Sequence, residues 1–148
     1  MNSGASFSRI KTVLKGQRLG VLATLGADYP YQNIVSYTVS GDLRKIIFAT
    51  ARATMKYANI QRCPRVAMFV DNRKNTEQDL LDAVGITALG DAKELSGAEE
   101  QRGKRSMTAR HPYLEDFVSS PGVALFGVRV KVYYAVSRFQ NVEELVLR

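Results

Sequence analysis

The sequence predicts a mainly β fold with small helices, in which an antiparallel sheet forms a closed or split β-barrel. Three observations carry this prediction. Three short strand-like segments follow one another within residues 19–50, joined by tight turns, as in an antiparallel meander. The segment from Gly122 to Val136 is long and alternates between apolar and polar residues. Two glycines interrupt the strand-like residues 83–95, as the bends of a barrel require.

The first half of the chain contains a helix, three strands, a second helix and a fourth strand. Phe7, Ile10 and Leu14 recur at helical spacing, which predicts an amphipathic first helix. Proline cannot continue a helix, so Pro64 ends the second one. The predicted elements are a helix at 4–15, strands at 19–25, 33–39 and 45–50, a helix at 54–62 and a strand at 65–70.

The second half contains a long strand, two helices and the longest strand. The run Ser96-Gly-Ala-Glu99 is a capping box that predicts a polar helix reaching about Arg110. Pro112 suits the first turn of a short helix at 112–119. In the final long strand, Val128, Val130, Val132, Tyr134 and Val136 are predicted to share a buried face, opposite Arg129, Lys131 and Tyr133. We predict one domain over residues 1–148, with helix 4–15 at its start and a tail at 140–148.

Composition narrows the classes of function. The chain has 148 residues, of which 45% are hydrophobic, and no apolar run approaches the roughly 18 residues of a membrane span. No apolar segment of a signal peptide opens the chain, and Cys63 has no cysteine partner, so we expect a cytoplasmic protein. One cysteine and one histidine exclude the common zinc sites. The net charge of +7 favours an anionic partner, but the cations are scattered, which argues against a nucleic-acid module.

The residues where the second helix begins predict an anion site. Arg52, Thr54 and Lys56 lie within five positions at the helix N-terminus, where unpaired N–H groups and the helix dipole favour negative charge. Thr54 is suited to cap the helix or to contact a phosphate oxygen. Arg52 adds a guanidinium group that can bind an anion through two N–H groups, and Lys56 adds a compact point charge. The alternative is a capped surface helix with two solvated cations.

Several motifs together resemble a known family. They are Gly20-Val-Leu-Ala-Thr-Leu25, Pro30-Tyr-Gln-Asn-Ile-Val-Ser36, Phe48-Ala-Thr50, Arg52-Ala-Thr-Met-Lys56 with Pro64-Arg-Val66, and Gly90-Asp-Ala92. In this order they resemble the pyridoxamine 5′-phosphate oxidase-like, flavin-binding split-barrel family, over about residues 7–139. The loop-helix motif around Thr54 is the most specific of them. The arginines and histidine that true pyridoxamine phosphate oxidases use for their substrate are not recognisable.

The resemblance implies a pyridoxamine-phosphate-oxidase-like antiparallel split β-barrel that binds flavin mononucleotide (FMN) at a homodimer interface. It also implies an oxidoreductase acting on an unidentified small molecule, with a nicotinamide or another small molecule as electron partner, and it leaves the catalytic residues unknown. Thr54 and Lys56 match the phosphate-binding residues, and Arg52 substitutes for an arginine that many members have at the position of Met55. The other implied cofactor contacts are Asn33, Ile34, Val35 and Ser36 along the flavin ring, with Ala49 and Thr50 at the strand end.

Other functions stay open at this point. The protein could be a flavin carrier or electron-transfer protein, or it could bind a deazaflavin, which shares the ring and phosphate. Haem is less favoured because its iron needs an axial ligand, and His111 stands at a helix start, where a structural or solvated role is expected. A nucleic-acid-binding barrel would need exposed aromatic residues among cations, and Tyr133 with Arg129 and Lys131 is the weak candidate.

Overall fold

The fold was analysed in a computed structural model that describes residues 3–148, so residues 1 and 2 of the predicted domain lie outside the described residues. Its element order follows the predicted order closely. The strands are β1 (Leu19–Leu25), β2 (Pro30–Val39), β3 (Lys45–Ala51), β4 (Arg65–Asp71), β5 (Val84–Glu94), β6 (Val123–Ser137) and β7 (Asn141–Val146). The helices are α1 (Ser3–Gly16), α2 (Met55–Arg62), α3 (Asp79–Asp82), α4 (Gly97–Arg110) and α5 (Glu115–Ser119), with a 3₁₀ turn at Pro112–Leu114.

The sheet closes on itself through its longest strand. The strands pair antiparallel in the order β3-β2-β1-β4-β5-β6-β7, and β6 pairs back with β3. The first half of β6 pairs with β3 and its second half with β7, so the strand bridges the barrel and a short extension. This arrangement confirms the predicted antiparallel split β-barrel and leaves few free strand edges.

A bulge changes which side of β6 faces the core. Leu89 and Gly90 are consecutive in β5, but their partners Val132 and Val130 are two residues apart, so Lys131 is an extra residue in β6. The buried set therefore shifts from even to odd positions along the strand. The prediction of one buried face from Val128 to Val136 is wrong beyond Lys131, because the alternation cannot reveal an inserted residue.

Tyr133 illustrates the consequence of the bulge. Its side chain is fully buried, and its hydroxyl donates a hydrogen bond of 2.6 Å to the carbonyl oxygen of Leu43. Burial raises the pKa of the Tyr133 hydroxyl. The prediction that Tyr133 lies on the polar face is wrong, and the aromatic group that a nucleic-acid surface would have needed is inside the barrel.

The predicted capping box at the start of α4 is not formed. Ser96 is the N-cap residue, but its side chain makes no capping hydrogen bond. Glu99 instead accepts a hydrogen bond of 3.0 Å from the ammonium group of Lys45 in β3. An ion pair with a distant strand has replaced the local contact that the motif predicts.

Two apolar clusters hold the fold together. The barrel interior contains large, fully buried side chains, among which Phe48 and Phe126 stack with ring centroids 5.5 Å apart. A smaller cluster on the outer side of the barrel joins Met107 of α4 and Val118 of α5 to Leu95 and Leu125. This second cluster anchors α4 and α5 beside β3, where the candidate site lies. Within residues 3–148 no helix is long and apolar enough to cross a membrane.

Candidate functional site

A cavity of about 340 Å³ opens on the outer side of the barrel between β2, β3, the start of α2 and the α4–α5 segment. Its volume is at the lower end of the range of ligand pockets, roughly 300–1,000 Å³. The predicted residues that line it are Ile34, Val35, Ser36, Ala49, Thr50, Thr54 and Lys56. Residues brought in by the tertiary structure are Ala51, Met107, Leu114 and Phe117. Asn33 and Arg52 are absent from the lining.

The cavity lies where β2 and β3 separate. Their ladder covers Tyr37–Val39 of β2 and Ile46–Phe48 of β3. Beyond it, residues 34–36 stay paired with β1, and residues 49–51 stay paired with β6. The edges that β2 and β3 turn toward each other therefore carry backbone N–H and C=O groups without a ladder partner. Such groups suit a ligand that has both hydrogen-bond donors and acceptors.

Thr54 holds the start of α2 in place. Its hydroxyl accepts a hydrogen bond of 3.2 Å from the backbone N–H of Tyr57 and donates one of 2.8 Å to the carbonyl oxygen of Ala51. The hydroxyl of Thr50 lies 3.2 Å away. The capping role predicted for Thr54 is confirmed, and the two threonines place a pair of hydroxyl groups at the cavity wall.

Lys56 supplies the positive charge of the cavity. Its side chain is half-buried, and among residues 3–148 no carboxylate oxygen lies within 4.0 Å of its ammonium group. Burial lowers the pKa of Lys56 because it disfavours the charged form. In addition, the first turn of α2 leaves backbone N–H groups without an intrahelical acceptor. A half-buried ammonium group with no counter-ion beside a helix N-terminus favours a bound anion.

Arg52 faces a different partner. Its guanidinium group donates a hydrogen bond of 2.7 Å to the carboxylate of Glu94, and it also contacts the hydroxyl and the ring of Tyr57. Glu94 lies at the end of β5, so no local pattern in the sequence marks it as the partner. The charge of Arg52 is thus compensated outside the cavity lining, whereas the charge of Lys56 is not.

Asn33 is the one residue of the predicted segment 33–36 that does not line the cavity. Its side-chain oxygen is buried and accepts no hydrogen bond within residues 3–148. Ile34 has the opposite orientation and is 65% exposed, at the mouth of the cavity. Ile34, Val35 and Ser36 line the cavity, whereas Asn33, one residue nearer to the start of β2, does not.

Sequence reasoning did not find the residues of the α4–α5 segment. Met107 is buried, Leu114 is half-buried and Phe117 is 42% exposed, and all three line the cavity. A methionine within an otherwise polar helix was the available signal, since an apolar side chain there must face another element. The sequence could not show that the element was β3.

His111 has a structural role. Its side chain is buried, and its Nε2 atom lies 2.8 Å from the carbonyl oxygen of Tyr37. This contact confirms the structural interpretation and excludes the solvated one. His111 is absent from the lining of the cavity, so it offers no axial ligand to a haem placed there.

A largely apolar outer face adjoins the cavity. The cross-strand register aligns two rows of outward-facing residues across β2, β1, β4, β5 and β6. We call these rows the outer apolar face. The first row is Ile34, Val21, Phe69, Thr87 and Tyr134, and the second is Gln32, Ala23, Ala67, Leu89 and Val132. Ile34 belongs to the first row and also lines the cavity, so the outer apolar face continues into the mouth of the cavity.

The fold and this cavity define an antiparallel split-barrel protein with a ligand-sized cavity beside its open seam. The sequence model of the pyridoxamine 5′-phosphate oxidase family matches residues 8–137. The chain therefore belongs to the pyridoxamine 5′-phosphate oxidase family, as the motifs predicted. No curated protein matches the chain significantly.

Solved structures from several bacteria share the fold. A haem-binding protein from Mycobacterium smegmatis has a TM-score of 0.85 at 15% identity, and the match covers 95% of this chain and 57% of that protein. General Stress Protein 26 from Bacillus anthracis has a TM-score of 0.75 at 22% identity, covering 96% and 98% of the two chains. An FAD-binding protein from Mesorhizobium loti has a TM-score of 0.68 at 16% identity, and the match covers 86% of this chain and 91% of that protein. At these identities the similarity shows the fold alone.

Proposed function

We propose that the protein is an FMN-binding flavoprotein and an oxidoreductase that acts on a small molecule. The observation that carries the proposal is the uncompensated ammonium group of Lys56, in the same cavity as two threonine hydroxyls and the open edge of β2. A phosphate ester carries a charge of about −1.5 to −2 at neutral pH, which matches a cation and a helix N-terminus. An FAD-binding protein among the structures with this fold supports the choice of a flavin.

In this proposal, Lys56 and the start of α2 hold the phosphate. The hydroxyl of Thr54 contacts it by turning away from the carbonyl oxygen of Ala51, and that of Thr50 lies beside it. Backbone groups of Ile34 to Ser36, with those of Ala49 and Thr50, orient the ring. Arg52 acts on the phosphate only at longer range, because Glu94 already pairs with it. When bound, the flavin supplies hydride or electron transfer, and the chain provides binding, orientation and exclusion of water.

The outer apolar face supports a homodimer around the site. An FMN-sized ligand that fills the cavity would extend past Ile34 onto this face. A second copy seated there would cover the ring and exclude water, as well as burying Phe69 and Leu89, which are 40% and 38% exposed. We therefore propose that the second subunit completes the cofactor site, and that a nicotinamide or another small electron partner approaches at this interface.

The first experiment is an absorbance spectrum of the purified protein, with the mass of the released cofactor. Flavin bands with the mass of FMN are expected, and a protein that is colourless and takes up no added flavin would contradict the proposal. The mass of FAD or of a deazaflavin would identify that cofactor instead, and a Soret band would identify haem. Reduction by a nicotinamide followed by reoxidation with turnover would distinguish an enzyme from a flavin carrier.

Replacing Lys56 with alanine should weaken FMN binding by about 1.5–3 kcal/mol, the free energy of a lost charge-assisted hydrogen bond. Isothermal titration calorimetry on the apoprotein measures this change. Lys74→Ala is the matched control, because Lys74 lies in an exposed loop outside this cavity. It should bind FMN as the wild type does. Unchanged affinity in Lys56→Ala would remove this lysine from the site.

Arg52→Ala tests the role of the second cation. Because Glu94 compensates Arg52, we expect its replacement to weaken binding less than the replacement of Lys56 does. An equal or larger loss would show that the guanidinium group leaves Glu94 and contacts the phosphate.

FMN affinity should also depend on pH in two steps. Burial lowers the pKa of Lys56 in the free protein, and a bound phosphate must raise it, since it stabilises the ammonium form. Lys56 therefore contributes fully to FMN affinity at a pH below its lowered pKa in the free protein. This contribution is lost as the pH rises toward the higher pKa that Lys56 has in the complex. Below about pH 6, protonation of the phosphate also weakens binding. Titrations between pH 5 and pH 10 should show the alkaline loss in the wild type and a much smaller one in Lys56→Ala.

A further inference from the structure

A second cavity, of about 770 Å³, lies on the outer surface of β3, β6 and β5, next to the start of α4. It shares no lining residue with the proposed flavin cavity. Its charged lining residues are the cations Arg44, Lys45, Lys93, Arg129, Lys131 and Arg148 and the acids Asp42, Asp91 and Glu99. Positive charge is therefore in excess at this surface.

Ion pairs account for only part of the positive charge. Lys45 pairs with Glu99 at 3.0 Å, and Lys131 pairs with Asp91 at 2.9 Å. The guanidinium group of Arg44 lies 4.0 Å from Asp42.

The cations that matter most are those without a close ion pair, although Lys93 adds to the effect of Lys45 in lowering the pKa of Glu99. Within the described part of the chain, Lys93 and Arg129 have no carboxylate oxygen within 4.0 Å. Both side chains are exposed, so an anion can reach them.

The sheet register places these cations around a glycine. Arg129 of β6 stands opposite Lys45 of β3 on one side and Asp91 of β5 on the other, and Asp91 pairs with Lys131. Gly127 stands opposite Lys93 of β5. Lys93 and Arg129 are thus diagonal neighbours, which lie about 7–8 Å apart on one face of a sheet. That spacing admits one phosphoryl group between them.

Gly127 makes room for the side chain of Lys45. It is buried, and a Cβ atom there would come within 2.7 Å of the Cε atom of Lys45. The stem of Lys45 therefore lies across the glycine, so a third cation borders the same spot. A side chain at position 127 would displace it.

We propose that this cavity is a second anion site, which binds a small phosphorylated molecule of at least two negative charges between Lys93 and Arg129. Arg129 offers a bidentate fork and Lys93 a point charge, the two donor types that recognise phosphoryl oxygens. Leu147, which is half-buried, also lines the cavity and suits the organic part of such a molecule.

A nucleic acid fits this surface less well. Asp42, Asp91 and Glu99 stand among the cations and would repel an extended phosphate backbone. The lining contains no aromatic side chain on which a base could stack. A compact anion can avoid the three carboxylates, whereas a polymer cannot.

Calorimetric titration with inorganic pyrophosphate at low ionic strength tests the proposal. The full chain should bind pyrophosphate, and the double variant Lys93→Gln/Arg129→Gln should bind it at least about tenfold more weakly, the effect of losing charge-assisted hydrogen bonds. Arg18→Gln/Arg105→Gln is the matched control, since it removes the same charge from exposed positions outside both cavities. It should stay within about twofold of the wild type.

The variant Lys56→Ala distinguishes binding at this site from binding in the flavin cavity. It should keep its affinity for pyrophosphate even if it no longer binds FMN. Equal affinity in the wild type and in Lys93→Gln/Arg129→Gln would overturn the proposal, as would an equal loss in the control variant. No binding at millimolar pyrophosphate would also refute it. Binding of a single-stranded oligonucleotide through Lys93 and Arg129, without pyrophosphate binding, would assign the surface to nucleic acid instead. Thermal melts of each variant test whether it is folded.

Discussion

Phe69→Glu should separate the proposed homodimer into monomers and release the flavin. The side chain of Phe69 lies in the middle of the outer apolar face, between Val21 and Thr87 of the neighbouring strands. A carboxylate there would be buried without a partner on dimerisation, and we expect the dimer dissociation constant to rise about a thousandfold, or about 4 kcal/mol. Light scattering at micromolar protein measures the change. Flavin should be lost because the mouth of the cavity beside Ile34 is no longer covered.

The monomer itself should remain folded, because Phe69 points away from the barrel interior and is 40% exposed. Tyr113→Glu is the control, since Tyr113 is 75% exposed and lies outside the outer apolar face. It should leave both the dimer and the flavin unchanged. A wild-type monomer with bound flavin would refute the dimer, and a Phe69→Glu dimer of normal affinity would place the interface on another surface.

Gly90→Ala should destabilise the barrel by about 3 kcal/mol or more, beyond the usual cost of overpacking. A Cβ atom at this position would lie 2.2 Å from the carbonyl oxygen of Arg129 and 3.0 Å from Val128. The nearest atom belongs to the backbone, so no rotamer change relieves the contact. The β5–β6 pairing must open at the bulge that sets the inward face of β6.

Gly122→Ala is the matched control for this prediction, because nothing lies within 4 Å of a Cβ atom at Gly122. Urea denaturation followed by circular dichroism should find this variant within about 0.5 kcal/mol of the wild type. If Gly90→Ala were equally stable, the close approach of β5 and β6 would not constrain the barrel.

Only some residues of the candidate site could be predicted from the sequence. Thr54 and Lys56 were predictable because the residues that form the start of α2 are adjacent in the chain, and the capping hydrogen bond confirms the local geometry. The pairing of Arg52 with Glu94 was not predictable, since the two residues are 42 positions apart and no motif connects them. The same holds for Met107 and Phe117, which reach the cavity only because a second apolar cluster anchors α4 and α5 beside β3.

By itself, the sequence determined the antiparallel split barrel, the order of its elements as far as β6 except for the short helix α3, and the family to which the chain belongs. These follow from the alternation of apolar residues, from turn residues and from short motifs, all of which act over a few neighbouring positions. Only the tertiary structure decided that the bulge at Lys131 turns Tyr133 inward, and that the charge of Lys56 stays uncompensated while that of Arg52 does not. The reason is physical: the inward face after a bulge and the partner of a charge depend on distant strands that only the closed barrel brings together.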